Sequence, residues 1–135
     1  MDEVGDMRCL VFTGISRTII DEILRKMIKT IELRSAHNVA TAMRAEVGNC
    51  VFLTPVKLHD LDRGTAGIVA EVVGKEVTSH SMFFSTDRYF EESEMTVVKL
   101  RLNPKCVGRV LNLLSTGILD STEAEVIEMS YYDAK

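Results

Sequence analysis

Two apolar runs constrain this chain more than any other feature of its sequence. The first extends from Cys50 to Val56 and the second from Gly67 to Val73, the latter reading Gly67-Ile68-Val69-Ala70-Glu71-Val72-Val73. Successive side chains of a strand point to opposite faces, so a run that is apolar at nearly every position needs cover on both sides. Both runs therefore read as interior strands. Glu71 interrupts the second one, and a carboxylate there is costly unless it is paired or faces a cleft. Arg34 is the first partner to consider for it.

The rest of the chain switches between two periods. Arg8 to Thr13 is a short strand closed by Gly14. Ser16 or Thr18 then offers an N-cap for a helix carrying Ile19, Ile20, Ile23, Leu24 and Met27 at 3.6-residue spacing. Across Lys29 to Arg34 the period becomes two, with Ile31 and Leu33 opposite Thr30, Glu32 and Arg34. Asn38 is a candidate cap for a short helix with Val39, Ala42, Met43 and Val47, ended by Gly48-Asn49. A loop follows from Lys57 to Thr65. Gly74 is expected to stop the second apolar strand, with a further short strand over Glu76 to His80 and a loop or single helical turn over Ser85 to Glu94. Met95 to Leu102 alternates as a strand. Asn103-Pro104 then reads as an N-cap with proline at the first helical position, ahead of Val107, Val110, Leu111 and Leu114 at helical spacing and Gly117. Glu123 to Tyr132 closes the chain as a strand.

Six or seven short mixed strands with two or three flanking helices define an α+β chain, and closure into a small barrel removes the edges that short strands would leave open. The 135 residues suit one domain, 1–135. Ile31, Leu33, Val51, Leu53, Ile68, Ala70 and Val72 are expected to contribute to one barrel-like core. No apolar run reaches the roughly 18 residues of a membrane helix, and the acidic N-terminus is unlike a signal peptide, so the expected location is the cytoplasm, with no membrane partner. Cys9, Cys50 and Cys106 are odd in number and form no Cys-x-x-Cys pair, which predicts three free thiols. A net charge of −4 means that any nucleic-acid binding must come from a local basic patch.

The stretch from Ile23 to Val73 resembles the ASCH domains, a branch of the PUA-like β-barrel superfamily. Their pattern is a helix, Gly-x-Lys-x-x-Glu-x-Arg on a strand, Gly-Asp before an apolar strand, and a strand of the Gly-x-Val-x-Glu-Val kind. Here Lys29, Glu32 and Arg34 hold the charged positions, Gly48 leads into Val51-Phe52-Leu53, and Gly67 to Val73 ends the match. Met27 replaces the motif glycine and Asn49 the aspartate. Over most of its length the chain also looks like an uncharacterised archaeal family, from methanogens and their relatives.

The resemblance implies a PUA-like, ASCH-like barrel whose cleft binds RNA or a modified nucleotide-like ligand. Glu32 and Arg34 lie on one strand face about 7 Å apart, at ~3.3 Å per residue. An arginine fork takes a phosphate in bidentate fashion, and a carboxylate accepts from a base amino group. The alternative for the pair is a simple ion pair on a solvated face. Lys29, with Arg25 and Lys26, would form a basic rim or merely complement the helix dipole. His37 would face the ligand or stand as an ordinary surface histidine. The candidate ligand-binding set is Lys29, Glu32, Arg34, His37 and Glu71. His59 and His80 lack partners at metal-ligand spacing, and no cofactor fingerprint is present, so neither metal nor cofactor is expected. Phe83, Phe84, Tyr89 and Phe90 would either stack on bases or anchor the core.

Two other functions stay open. Some ASCH-like proteins are small amidohydrolases acting on acylated cytidine, with a nucleophilic threonine three residues after the motif lysine, a position that is Glu32 here. The other is a non-catalytic scaffold or a subunit of a homodimer.

Overall fold

The computed structural model describes residues 7–26, 29–116 and 121–129. Six strands and two helices follow in the order β1 (Met7–Phe12), α1 (Arg17–Leu24), β2 (Thr30–Leu33), α2 (Ala36–Arg44), β3 (Cys50–Leu53), β4 (Ala66–Thr86), β5 (Tyr89–Thr116) and β6 (Thr122–Glu128), with a single 3-10 turn over Leu58–Asp60 before β4. The sheet runs β2-β5-β4-β3-β1-β6, and β5 pairs again with β6. That second pairing closes β1, β3, β4, β5 and β6 into a five-stranded ring, with β2 carried outside it on β5. Among the described residues only β1 and β3 pair in parallel.

The ring works because β3 and β4 bury both faces. Val51, Leu53, Ile68, Ala70 and Val72 pack with Ile31 and Leu33 of β2, Val98, Leu100 and Leu102 of β5, and Ile23 and Ala42 of the helices. All seven residues expected in one barrel-like core therefore share a core, but it is the one between the sheet, β2 and the helices and not the filling of the ring. The alternate positions Phe52 and Val69 join Cys9, Val11, Val110, Ala124 and Val126, one or more from each ring strand, and fill the ring. Each fully buried side chain of this kind contributes about 1.5–3 kcal/mol.

Two glycines face each other inside this packing, Gly67 of β4 and Gly108 of β5. A Cβ on Gly67 would stand 2.7 Å from Cζ of Phe52, and one on Gly108 would stand 2.8 Å from both Val126 and Val69. The Phe52 ring lies where a side chain on Gly67 would be.

Several expectations are corrected. Gly74 does not stop its strand. β4 passes through a register shift between Val72 and Gly74 and continues to Thr86. The expected loop over Ser85 to Glu94 is the tip of the β4–β5 hairpin, turning at Asp87 and Arg88. The expected helix after Asn103 is strand throughout, because β5 extends to Thr116. Pro104 is accommodated there because the register slips beside it: Val69 pairs with Cys106 while Ala70 pairs with Pro104, leaving Lys105 as the extra residue of a bulge. Further slips between Val110 and Asn112, and between Leu113 and Ser115, leave Leu111 and Leu114 as extra residues, so Val110 and Leu113 pack on the ring core while Leu114 is exposed, and the helical spacing marks no shared face. The α1 cap is Ser16, whose hydroxyl accepts from the Ile19 N–H. The α2 cap is Ser35 and not Asn38. Met27, Gly117 and the end of the closing strand beyond Met129 lie outside the described residues.

The three cysteines are not all free. Parallel pairing sets Leu10 beside Val51, so Cys9 and Cys50 are neighbours with Cα atoms 4.7 Å apart, and they are disulfide-bonded. Cys106 is a free thiol.

Candidate functional site

β2 pairs antiparallel with Val98 to Arg101 of β5, and just ahead of it the Lys29 carbonyl accepts from the Leu102 N–H. Its inward residues Ile31 and Leu33 are buried, which turns Glu32 outward and leaves Arg34 just past the strand end on the same side. One guanidinium nitrogen, Nη2 of Arg34, donates to Oε1 of Glu32 at 2.8 Å. Lys99, the cross-strand partner of Glu32, approaches the other carboxylate oxygen at 3.8 Å. The hydrogen bond from Arg34 holds the Glu32 carboxyl below the usual carboxylate range, with the positive charges of Arg34 and Lys99 adding to it.

This pair stands between two open cavities. The first, of about 340 Å³, is bounded by the pair, the Gly14 turn after β1, the Ser16 and Ser35 caps of the two helices, and Lys57. Its floor is apolar, from Ile15, Ile19, Ile31, Leu33 and Leu58. The starts of both helices border it, where unpaired N–H groups and the helix dipole favour negative charge. The second cavity, about 520 Å³, lies on the other side of the pair against Lys99 and the base of the β4–β5 hairpin, where it meets Thr78, His80 and Met95.

Asn38, buried in the first turn of α2, also borders the smaller cavity. Its amide bonds the backbone of Thr13 in both directions and so fixes α2 against the end of β1.

The structure gathers only part of the expected site. Lys29 is exposed just ahead of β2 and borders neither cavity. Arg25 pairs with Asp21 instead of joining a rim. His37 lies on the other side of α2, where its Nε2 shares a 2.8 Å hydrogen bond with the Thr122 hydroxyl of β6. Glu71 is partnered by Lys105 at 3.4 Å and not by Arg34, because Lys105 occupies the bulge across the β4–β5 ladder. Sequence reasoning missed Lys57, Asn38 and the role of Ser16 and Ser35. Two serines each opening a helix was the available signal. Among the described residues, no cluster of three or more His, Cys, Asp or Glu side chains is arranged to hold a metal ion. Nor is any helix among them long and apolar enough to cross a membrane.

Residues 7–124 match the model of a family described as a protein of unknown function, DUF473. The chain belongs to DUF473. A relative of this DUF473 chain is the uncharacterized protein MJ0105 of Methanocaldococcus jannaschii, 28% identical over 107 residues that cover 76% of this chain and 67% of that protein. The resemblance to an uncharacterised archaeal family is thus met. The family match spans β1 into β6 and includes every residue of the two cavities.

Proposed function

We propose that this protein binds RNA or a nucleotide-like anion at the Glu32–Arg34 pair, in the way its resemblance to the ASCH domains implies. The observation that carries the reading is the position of the pair between two open cavities, with Arg34 and Lys57 against one carboxylate in the first and Lys99 beside the second. Pockets for small ligands begin at about 300 Å³, combining an apolar floor with a few placed polar groups. The smaller cavity has this composition. Arg34 takes the phosphate, the helix starts add N–H donors, and Glu32 accepts from a base amino group. A chain running past Arg34 places a second nucleotide in the larger cavity. Lys29, His37 and Glu71 are outside this core set, and no reaction is assigned.

The test is titration of the wild type, Arg34→Ala and Arg34→Lys with short single-stranded RNAs and mononucleotides at two salt concentrations. Loss of a charge-assisted bidentate contact costs about 1.5–3 kcal/mol, or roughly ten- to a hundredfold in affinity. Arg34→Lys keeps the charge but loses the planar fork, and is expected to behave nearly like Arg34→Ala. Binding must weaken as salt rises. Absence of binding by the wild type, or equal binding by all three proteins, defeats the reading.

A further inference from the structure

The β4–β5 hairpin outgrows the rest of the sheet. On one edge, β3 stops pairing with β4 at Glu71, and the β3 approach adds backbone bonds only as far as Val72. On the other edge, β2 stops pairing with β5 at Val98. Beyond these points, among the described residues, β4 and β5 pair only with each other, in unbroken register from Gly74–Arg101 to Thr86–Tyr89. Residues 78–86 and 89–97 thus form a two-stranded arm about 30 Å long at ~3.3 Å per residue. A two-stranded ribbon alone is marginal in water, and adding strands stabilises it.

The two edges of the arm differ in charge. From Val77 to Thr86 the β4 edge reads Val-Thr-Ser-His-Ser-Met-Phe-Phe-Ser-Thr, with no acid, lysine, arginine, glycine or proline. The β5 edge carries Glu91, Glu92 and Glu94 within four residues. Charges blunt a free edge against self-pairing, whereas a neutral edge of β-prone residues invites it. The arm also exposes apolar surface: Phe83 and Phe90, each 66% exposed, keep ring centroids 6.3 Å apart, and Val77 is 44% exposed.

We propose that two copies of this chain associate through the free β4 edges of their arms, antiparallel about a two-fold axis at Ser81, to make a continuous four-stranded sheet. Hairpin geometry supplies the parity. With only Asp87 and Arg88 in the turn, Thr86 and Tyr89 form a hydrogen-bonded pair, so even-numbered β4 residues direct their backbone groups to β5. Odd-numbered residues from Val77 to Ser85 direct theirs outward. A two-fold at Ser81 pairs odd residues with odd ones: Ser81 with its own counterpart, Ser79 with Phe83 and Val77 with Ser85. Phe83 of one copy then lies diagonal to Val77 of the other, within reach on the same face. At the ends Glu76 lies diagonal to Arg88, an opposite charge, while the Lys75 ammonium is held in its own copy by the Met43 and Ala45 carbonyls. The same operation along β5 would bring glutamates together.

Sedimentation velocity of the full chain over a concentration series tests the pairing, together with Ser81→Glu and, as a control on the other strand, Thr96→Glu. A concentration-dependent dimer is expected for the wild type and Thr96→Glu. For Ser81→Glu the dissociation constant is expected to rise at least about tenfold, since two carboxylates meet at the axis. Ser81→Cys in a Cys106→Ser background gives a measurement that does not depend on weakening. Cα atoms of a hydrogen-bonded antiparallel pair are about 5.5 Å apart, inside the disulfide range, so oxidation yields a covalent dimer. A wild type that stays monomeric throughout overturns the proposal, as does a dimer that Ser81→Glu leaves intact and that Ser81→Cys fails to cross-link.

Discussion

The side-chain amide of Asn38 reproduces a strand's hydrogen bonding toward Thr13. The Thr13 N–H donates to Oδ1 at 3.2 Å, and Nδ2 donates to the Thr13 carbonyl at 2.8 Å. Both residues are buried. The β1 ladder with β6 ends at Leu10 and that with β3 at Phe12, so the Thr13 backbone lies beyond both, and Asn38 supplies its partner from α2. Gly14 follows at φ 65°, in the left-handed region, and turns the chain along the cavity wall.

Asn38→Ala removes both partners and leaves a buried N–H and C=O unpaired. Each such group costs about 1–3 kcal/mol, so a loss of roughly 2–4 kcal/mol is expected. Urea denaturation should show a lower midpoint at unchanged slope. A change below about 1 kcal/mol would mean that water replaces the amide.

Gly108→Ala tests the packing inside the ring. The added methyl meets Val126 and Val69 side chains at 2.8 Å and the Ile127 carbonyl at 3.1 Å, contacts that only displacement relieves. Overpacking of this kind costs about 1–3 kcal/mol. Gly74→Ala, whose Cβ comes no closer than 3.3 Å to the Arg101 side chain, should cost much less. Thermal unfolding of the two variants side by side makes the comparison.

The cysteines give a count. Denatured, unreduced protein should show one reactive thiol, Cys106, and reduced protein three. In the native state burial pushes the Cys106 thiol up, with the nearby Glu128 charge adding to it, so it reacts slowly near neutral pH. The Cys9–Cys50 bond closes a separation of 41 residues, for which chain entropy suggests about 4 kcal/mol. Cys9→Ala with Cys50→Ala should lose a substantial part of that in a denaturation experiment.

What was legible in the sequence was local, and what was hidden depended on contacts between distant segments. Ile31, Leu33, Val98, Leu100 and the β3 and β4 core residues announce their faces by alternation or by continuous apolarity, and they pack as that pattern implies. Asn103-Pro104 carries the local chemistry of a helix start, but its meaning is set by β4 across the ladder, where a bulge removes the need for a proline N–H. The Asp87-Arg88 turn lacks the glycine or asparagine that usually marks a two-residue hairpin. Cys9 and Cys50 become neighbours only through the parallel β1–β3 pairing. At the site, the Glu32–Arg34 spacing could be read directly. The cavities could not, since Ser16, Ser35 and Lys57 come from three segments that only the ring assembles.

The last prediction concerns pH and the same pair. Arg34 lowers the Glu32 carboxyl, so the folded state binds its proton less readily than the unfolded chain does. The pair's stabilisation is therefore present above the unfolded carboxylate range and is lost as pH falls through the lowered value. Carboxyl NMR of Glu32 should show a titration below the ordinary glutamate range. It should move up in Arg34→Ala and no longer lie below that range, because Lys99, 3.8 Å away, lowers the carboxyl less than its desolvation raises it. The carboxylate also competes with any anionic ligand for the guanidinium. Glu32→Gln removes that competition at neutral pH, so a ligand held mainly through phosphate, such as oligouridylate, should bind more tightly. A ligand with a base amino group seated on the carboxylate should lose part of the gain. Measuring both affinities in the wild type and Glu32→Gln separates the roles. Equal responses would leave Glu32 as the ion-pair partner of Arg34, with no hand in recognising a base.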